Sequence, residues 1–234
     1  MSITGQFDFS VVTTGAYRSW LVSGLGLSLQ LTAISLALSL PAAATVALMR
    51  LSGIRALRGL GTVYVEAVRN VPLLVHMMFW YFAMPELLPQ SARNWLYEHD
   101  AESVCAVIAL TLYTCAYMAE DIRSGVRAVP VTQLEAARAL GFGFLSSMRR
   151  VILPQALRIV VPPLVSQTLN LWKNTSIATV IGTAELMYQA QRVETDSFRG
   201  VETFGVATLA YLSVSLMITA FATWFHHRFP ARSP

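Results

Sequence analysis

Apolar residues in this chain gather into long runs rather than alternating with polar ones. Five stretches stand out, at residues 20–48, 61–84, 103–119, 151–181 and 204–225. A helix that crosses a membrane needs about 20 mostly apolar residues, whereas a barrel strand needs about 10 with strict alternation. The pattern therefore predicts an all-α, polytopic membrane protein with five transmembrane helices. The flanks divide it into an external amino-terminal segment at 1–19, a transmembrane domain at 20–228 and a cytoplasmic tail at 229–234.

The polar connections give the orientation. Arg50, Arg55 and Arg58 follow the first stretch without an acid, and Arg123, Arg127, Arg138, Arg149 and Arg150 lie between the third and fourth. Lys and Arg accumulate on the cytoplasmic side of membrane proteins, so these loops face the cytoplasm. The two remaining connections hold Glu86, Glu98, Asp100 and Glu102, and Glu185, Glu194, Asp196 and Glu202, without a basic excess, and face outward. This alternation places the amino terminus outside and the carboxy terminus, with Arg228 and Arg232, in the cytoplasm. Arg18 is the first basic side chain, so there is no basic signal-peptide region and the first span is expected to be retained.

Composition agrees with lipid as the main solvent. Hydrophobic residues make up 55% of the 234 and charged ones 13%, against roughly 25% charged in an ordinary soluble domain. Five spans leave no room for a large extramembrane catalytic domain. The net charge of +4 does not point to nucleic acid, because the basic residues sit between hydrophobic runs as topology signals. Cys105 and Cys115 are ten residues apart in one apolar run, about 15 Å along a helix, too far for a disulfide; they read as small buried hydrophobes. Ser28, Thr32, Ser35 and Ser39 recur at helical spacing in the first span, where small side chains admit a close neighbour.

Two polar features remain. In the longest basic loop, Thr132-Gln133-Leu134-Glu135 has the spacing of a capping box, which predicts a short helix near 132–141 with Gly141 as its stop. In the fourth stretch, Pro162-Pro163 predicts a break, followed by Gln167, Asn170, Lys173, Asn174 and Thr175. Positions 167, 170 and 174 share a helical face, and Lys173 is the only lysine beside 16 arginines. Two readings stand for this cluster. Its groups line a translocation path together with Glu120, Tyr117 and His76, or they form interhelical hydrogen bonds and a Lys173–Glu120 ion pair.

Glu135-Ala136-Ala137, three residues, Gly141, nine residues and Val151-Ile152-Leu153-Pro154 together resemble the EAA signature of ABC importer permeases, with valine at 151 where the pattern has isoleucine. Arg69-Asn70-Val71-Pro72-Leu73-Leu74-Val75, Tyr117-Met118-Ala119-Glu120-Asp121-Ile122-Arg123, Leu153-Pro154-Gln155-Ala156, Lys173-Asn174-Thr175-Ser176 and Ile181-Gly182-Thr183-Ala184-Glu185-Leu186 are similar to the polar amino acid branch of that family. The resemblance implies a type I ABC importer permease fold in the bacterial inner membrane. It also implies that the short helix is a coupling helix, docking through Glu135, Ala136, Ala137, Arg138 and Gly141 on a cytoplasmic ABC ATPase.

A second permease subunit, identical or not, and an external solute-binding protein complete the implied assembly. The cargo is a polar amino acid, with glutamate and aspartate as the first candidates. No cofactor is expected on this chain: a Walker A loop needs Gly-x-x-x-x-Gly-Lys-Ser/Thr, and the lone lysine precedes asparagine, so ATP belongs to the partner. An ion-gradient-driven secondary amino acid transporter is the alternative, which intramembrane Glu120 and Lys173 also permit. A membrane enzyme lacks support, since neither a Gly-x-Ser-x-Gly elbow nor a His-Glu-x-x-His pair occurs.

Overall fold

The computed structural model describes residues 8–228, so residues 1–7 and the tail at 229–234 lie outside the described residues. Among the described residues every regular element is helical: α1 (Phe9–Thr13), α2 (Gly15–Leu51), α3 (Arg55–Arg69), α4 (Leu73–Met78), α5 (Gln90–Glu98), α6 (Ala101–Arg127), α7 (Val131–Ala139), α8 (Phe144–Ser147), α9 (Leu153–Asn174), α10 (Leu186–Ser197) and α11 (Gly200–Arg228). Three segments, Gly15–Leu51, Ala101–Arg127 and Gly200–Trp224, are long and apolar enough to cross a membrane. The second and fourth hydrophobic stretches fold instead as composite helices. The second is α3, a break at Pro72, α4, a π turn at Phe79–Ala83 and a 3₁₀ turn at Met84–Leu87. The fourth is a π turn at Met148–Ile152, α9 and a 3₁₀ turn at Thr175–Ile181.

Pro162 and Pro163 do not break the fourth stretch. Both lie inside α9, which stays helical to Asn174. Apolar surroundings explain the difference: neighbouring helices and local adjustments re-satisfy the carbonyls that a proline frees, and lipid offers no water to draw the chain open. The real change of path comes at Thr175, where the helix tightens, and ends at Gly182 with φ +86°. Pro72, by contrast, does separate two helices and serves as the N-cap of α4.

The most extensive pairing is α2 against α6. Ser28, Thr32, Ser35, Ser39, Ala43 and Ala47 form the buried stripe of α2, and α6 answers with Ala106, Ala109, Cys115, Ala116 and Ala119. In lipid, helices associate by close packing rather than by exclusion of water, which is why the stripe is small rather than large and apolar. Three of its four hydroxyls are hydrogen-bonded: Thr32 donates to the Ser28 carbonyl at 2.8 Å, Ser39 to the Ser35 carbonyl at 2.6 Å and the Thr111 carbonyl of α6 at 3.1 Å, and Ser28 to Glu185 at 3.2 Å, whereas the buried Ser35 hydroxyl has no partner among the described residues. Both cysteines are buried and free.

Helix α10 runs antiparallel along the outer half of α2. Its first end is pinned by Glu185, a buried N-cap carboxylate that accepts from the Met187 and Tyr188 amides at 3.0 and 2.9 Å, from Tyr211 at 2.8 Å and from Ser28 at 3.2 Å. Tyr211 in turn accepts the Trp172 indole N–H on its carbonyl at 3.1 Å, which ties α9 and α11 to the same point. Gly24 makes the approach possible, since a Cβ there would lie 2.8 Å from Gln189 Cγ and 2.9 Å from the Glu185 carbonyl oxygen. Gly24→Ala should therefore lower stability by about 1–3 kcal/mol, the usual cost of overpacking, read as an earlier thermal transition of the detergent-solubilised protein. An unchanged transition would mean that α10 does not sit this close.

Candidate translocation path and docking helix

A cavity of about 300 Å³ opens between α6 and α9. Tyr113, Thr114 and Tyr117 line it from α6, and Gln167, Asn170, Leu171 and Asn174 from α9. Helical periodicity accounts for both sets, because side chains three and four residues apart project from one face. The lining is polar but carries no formal charge. Gln167 is held by its amide, which donates to Asp121 Oδ2 at 2.9 Å. Tyr113 donates to the Tyr117 hydroxyl at 3.2 Å, and the Arg69 guanidinium carbon lies 5.0 Å from the centre of the Tyr117 ring.

The residues singled out from sequence separate into those at the cavity and those away from it. Tyr117, Gln167, Asn170 and Asn174 come together on its wall. His76 stands behind that wall, edge-on to Tyr113 with ring centres 5.9 Å apart and Nε2 3.1 Å from the Val68 carbonyl oxygen. Thr175 is buried, and its hydroxyl donates to the Trp172 carbonyl at 2.8 Å. Lys173 is exposed on another face of α9, and among the described residues no carboxylate comes within ion-pair distance of it.

The Lys173–Glu120 pair considered from sequence does not form. Glu120 is already bound by Arg50 of α2 and by Arg123 one turn along α6. Arg50 is only 8% exposed and also reaches Glu66 of α3 at 3.9 Å. Two guanidinium groups thus occupy the carboxylate and tie together three helices at the arginine-rich end of the bundle. Sequence reasoning treated both arginines as topology charges; the Glu120–Arg123 spacing of three residues was the local signal for one of them, whereas Arg50 is brought in only by the packing of α2 on α6. Tyr113 and Thr114 were also missed, although they lie four and three residues before Tyr117 on the same helical face.

At that same end, α7 begins at Val131 with Pro130 as its N-cap. The capping box expected at Thr132 and Glu135 is not formed: Pro130, which cannot donate its own nitrogen, starts the helix earlier and carries Thr132 into its first turn, and no side chain caps it. The stop is as expected. Gly141 has φ +84°, its N–H donates to the Arg138 carbonyl at 2.9 Å, and that of Phe142 to the Ala137 carbonyl at 3.1 Å, the paired bonds of a Schellman motif. Ala137 is buried toward the Met148–Ile152 turn. Glu135, Ala136, Arg138 and Gly141 are exposed. Leu140 and Leu145, each 79% exposed, extend this bare surface beside a cleft of about 770 Å³ rimmed by Arg149 and Arg150. Apolar side chains framed by charge, at the cytoplasmic end of a membrane protein, are what a docking surface for a second protein requires.

Comparison with known proteins decides the family. Residues 39–231 match the inner membrane component of binding-protein-dependent transport systems. The chain belongs to this family. The permease is 37% identical over 229 residues to the probable glutamine ABC transporter permease protein GlnM of Bacillus subtilis, covering 97% of this chain and 98% of the relative. To the glutamate/aspartate import permease protein GltJ of Escherichia coli it is 34% identical over 206 residues, covering 86% and 84%. Its fold superposes on a crystal structure of an amino acid ABC transporter with histidines at a TM-score of 0.84, with 29% identity over 97% of the permease and 100% of that chain. The MetNI methionine ABC transporter shares the fold at a TM-score of 0.71 and 17% identity, covering 93% of this chain and 100% of that one.

The permease is thus a multi-pass inner membrane subunit of an amino acid ABC importer, a transport component and not an enzyme. Membership implies an ATPase, a second permease and a solute-binding protein as companions. It displaces the ion-gradient transporter that the intramembrane charges had left open.

Proposed function

We propose that the permease crosses the membrane five times with its amino terminus outside, and that with a second permease subunit it encloses the path of a polar amino acid, glutamate or aspartate, at the α6–α9 cavity. Residues 1–19, 20–228 and 229–234 are then the external segment, the permease domain and the cytoplasmic tail. The observation that carries this reading is the cavity itself: four of the side chains expected along a path meet there, with amide and hydroxyl donors suited to a carboxylate. Lys173, Thr175, Glu120 and His76 support the path from outside the lining, Lys173 as a cation on the same helix and the others as braces. The cargo passes without a cofactor on this chain; ATP is bound by partner subunits that dock on α7 through Glu135, Ala136, Ala137, Arg138 and the turn at Gly141. Closure of the ATPase pair moves α7 and switches which side of the cavity is open, a rigid-body change driven by differential affinity for two states.

Glutamine is the second reading, favoured by a lining without a cation and by the similarity to a glutamine permease. Uptake of labelled glutamate and of labelled glutamine into proteoliposomes holding the assembled importer separates the two. Aspartate should compete with glutamate uptake and glutamine should not. Asn170→Leu should reduce uptake by about tenfold, the effect of losing one hydrogen bond to a charged group, while the ATPase still co-purifies. Competition by glutamine alone makes the cargo an amide, and full uptake by the Asn170 variant removes the cavity from the path.

A further inference from the structure

We infer that Arg69, at the end of α3, holds the α-carboxylate of the cargo at the edge of the α6–α9 cavity. The inference rests on that cavity being the path and adds the group that orients the amino acid within it. Helix α3 spans 15 residues from Arg55, at the cytoplasmic end, to Arg69. That is about 21 Å of rise into a hydrocarbon core of about 30 Å. A guanidinium at such depth is costly unless it meets an opposite charge or faces a wet cavity.

The acids of α3 and of the inner half of α6 are all engaged elsewhere. Glu66 accepts from the Asn70 side-chain amide at 3.4 Å and lies 3.9 Å from Arg50, Glu120 holds Arg50 and Arg123, and Asp121 accepts from Gln167 at 2.9 Å. Arg69 itself is exposed, and among the described residues no carboxylate comes within ion-pair distance of it.

Two observations put this cation at the cavity rather than in lipid. Its guanidinium carbon lies 5.0 Å from the centre of the Tyr117 ring, the Tyr117 hydroxyl is 3.5 Å from the Arg69 carbonyl oxygen, and Tyr117 belongs to the cavity wall. A guanidinium stacked on an aromatic face keeps the N–H groups of its edge free, and that fork binds a carboxylate through two parallel hydrogen bonds. The second observation is the break that follows. The helix ends at Arg69, and Asn70 and Pro72 are exposed before α4 begins. Irregular backbone at membrane depth persists only where protein or water covers it, so this face does not meet hydrocarbon. Pro72 has no N–H to offer the Val68 carbonyl, whose oxygen lies instead 3.1 Å from His76 Nε2, and His76 stands edge-on to Tyr113 of the cavity wall. Break, cation and wall are thus one unit.

Chemistry selects the α-carboxylate as the ligand. Glutamate and glutamine share it and differ only at the far end of the side chain. The Asn170 and Asn174 amides, which make no side-chain hydrogen bond among the described residues, remain for that end. Lys173 also lacks a carboxylate but projects from another face of α9.

The test uses the permease with its ATPase and second permease subunit in nanodiscs, carrying Asn170→Cys, without nucleotide and without the solute-binding protein. Glutamate, glutamine and the α-amide of each are titrated for their power to protect the thiol from a reagent. With Arg69 in place, each α-amide should need at least about tenfold more compound for half-protection than its parent, the effect of losing a charge-assisted pair. In Arg69→Gln parent and amide should protect at the same raised concentration, and Arg69→Lys, which keeps the charge without the fork, should fall between. An undiminished preference for the parent in both variants, or no preference with Arg69 in place, overturns the inference and leaves the cavity as the path. No protection by any compound with Arg69 in place overturns the path and the inference together. Failure of both variants to assemble makes Arg69 a structural residue and also overturns the inference.

Discussion

Glu135→Arg is expected to separate the permease from its ATPase and to stop ATP-driven uptake while the membrane domain stays folded. Glu135 is exposed on α7 and makes no side-chain hydrogen bond or ion pair among the described residues, so the fold does not depend on it. The neighbouring surface places small Ala136 beside exposed Leu140 and positions a single carboxylate among Arg138, Arg149 and Arg150. A partner fitted to that carboxylate meets a fourth cation when it is reversed. Loss of one interfacial charge contact is worth roughly 3 kcal/mol, so association should weaken by about two orders of magnitude. Co-purification of the ATPase should fall accordingly, and the thermal transition of the isolated permease should hold within about 0.5 kcal/mol of stability, as for an ordinary surface substitution. Undiminished co-purification would remove Glu135 from the docking surface.

Glu120→Leu should produce the largest loss of stability. The carboxylate sits between Arg50 and Arg123, with Arg50 8% and Glu120 21% exposed. Removing it leaves two guanidinium groups facing each other with their shared partner gone. Breaking a largely buried ion pair from one side costs about 3 kcal/mol, near the lower end of the usual range because Glu120 keeps some contact with solvent. In a chain of this size that corresponds to a fall of about 10 °C in the thermal transition. Replacing Arg50 and Glu120 together by leucine should recover part of the loss, because the more deeply buried of the two uncompensated charges is removed as well, while Arg123, 19% exposed, keeps contact with solvent. Equal destabilisation in the single and double variants would show that packing at this point, rather than charge, sets the cost.

Local pattern and long-range packing divide what the sequence makes legible. Three of the five apolar runs located helices long and apolar enough to cross a membrane, because burial in lipid imposes length and composition on each helix separately. The small-residue stripe of α2 and the stop at Gly141 were legible for the same reason, each being a property of one helix and its immediate turn. Pro162-Pro163 misled because proline acts on a helix through the carbonyls it frees, and the neighbours that answer those carbonyls lie far along the chain. Thr132 and Glu135 had the right spacing for a cap, but Pro130 moved the start of the helix and with it the register. At the cavity, α9 announced its polar face by spacing, whereas the facing wall from Tyr113 and Thr114 depends on which side of α6 turns toward α9. The partners of Glu120 illustrate the same limit: Arg123 was within reach of helical periodicity, and Arg50, 70 residues away, was not.

Access to position 170 tests the account most directly. Asn170→Cys places a thiol on the cavity wall, while the native Cys105 and Cys115 are each 2% exposed and shielded from reagent. Proteoliposomes of the complete importer are treated with a membrane-impermeant thiol reagent from either side, without nucleotide and with ATP trapped by vanadate. The account predicts labelling from the cytoplasmic side without nucleotide, from the external side when ATP is trapped, and protection by the transported amino acid. Labelling that ignores both nucleotide and amino acid would contradict it, because the cavity between α6 and α9 would then not be the path.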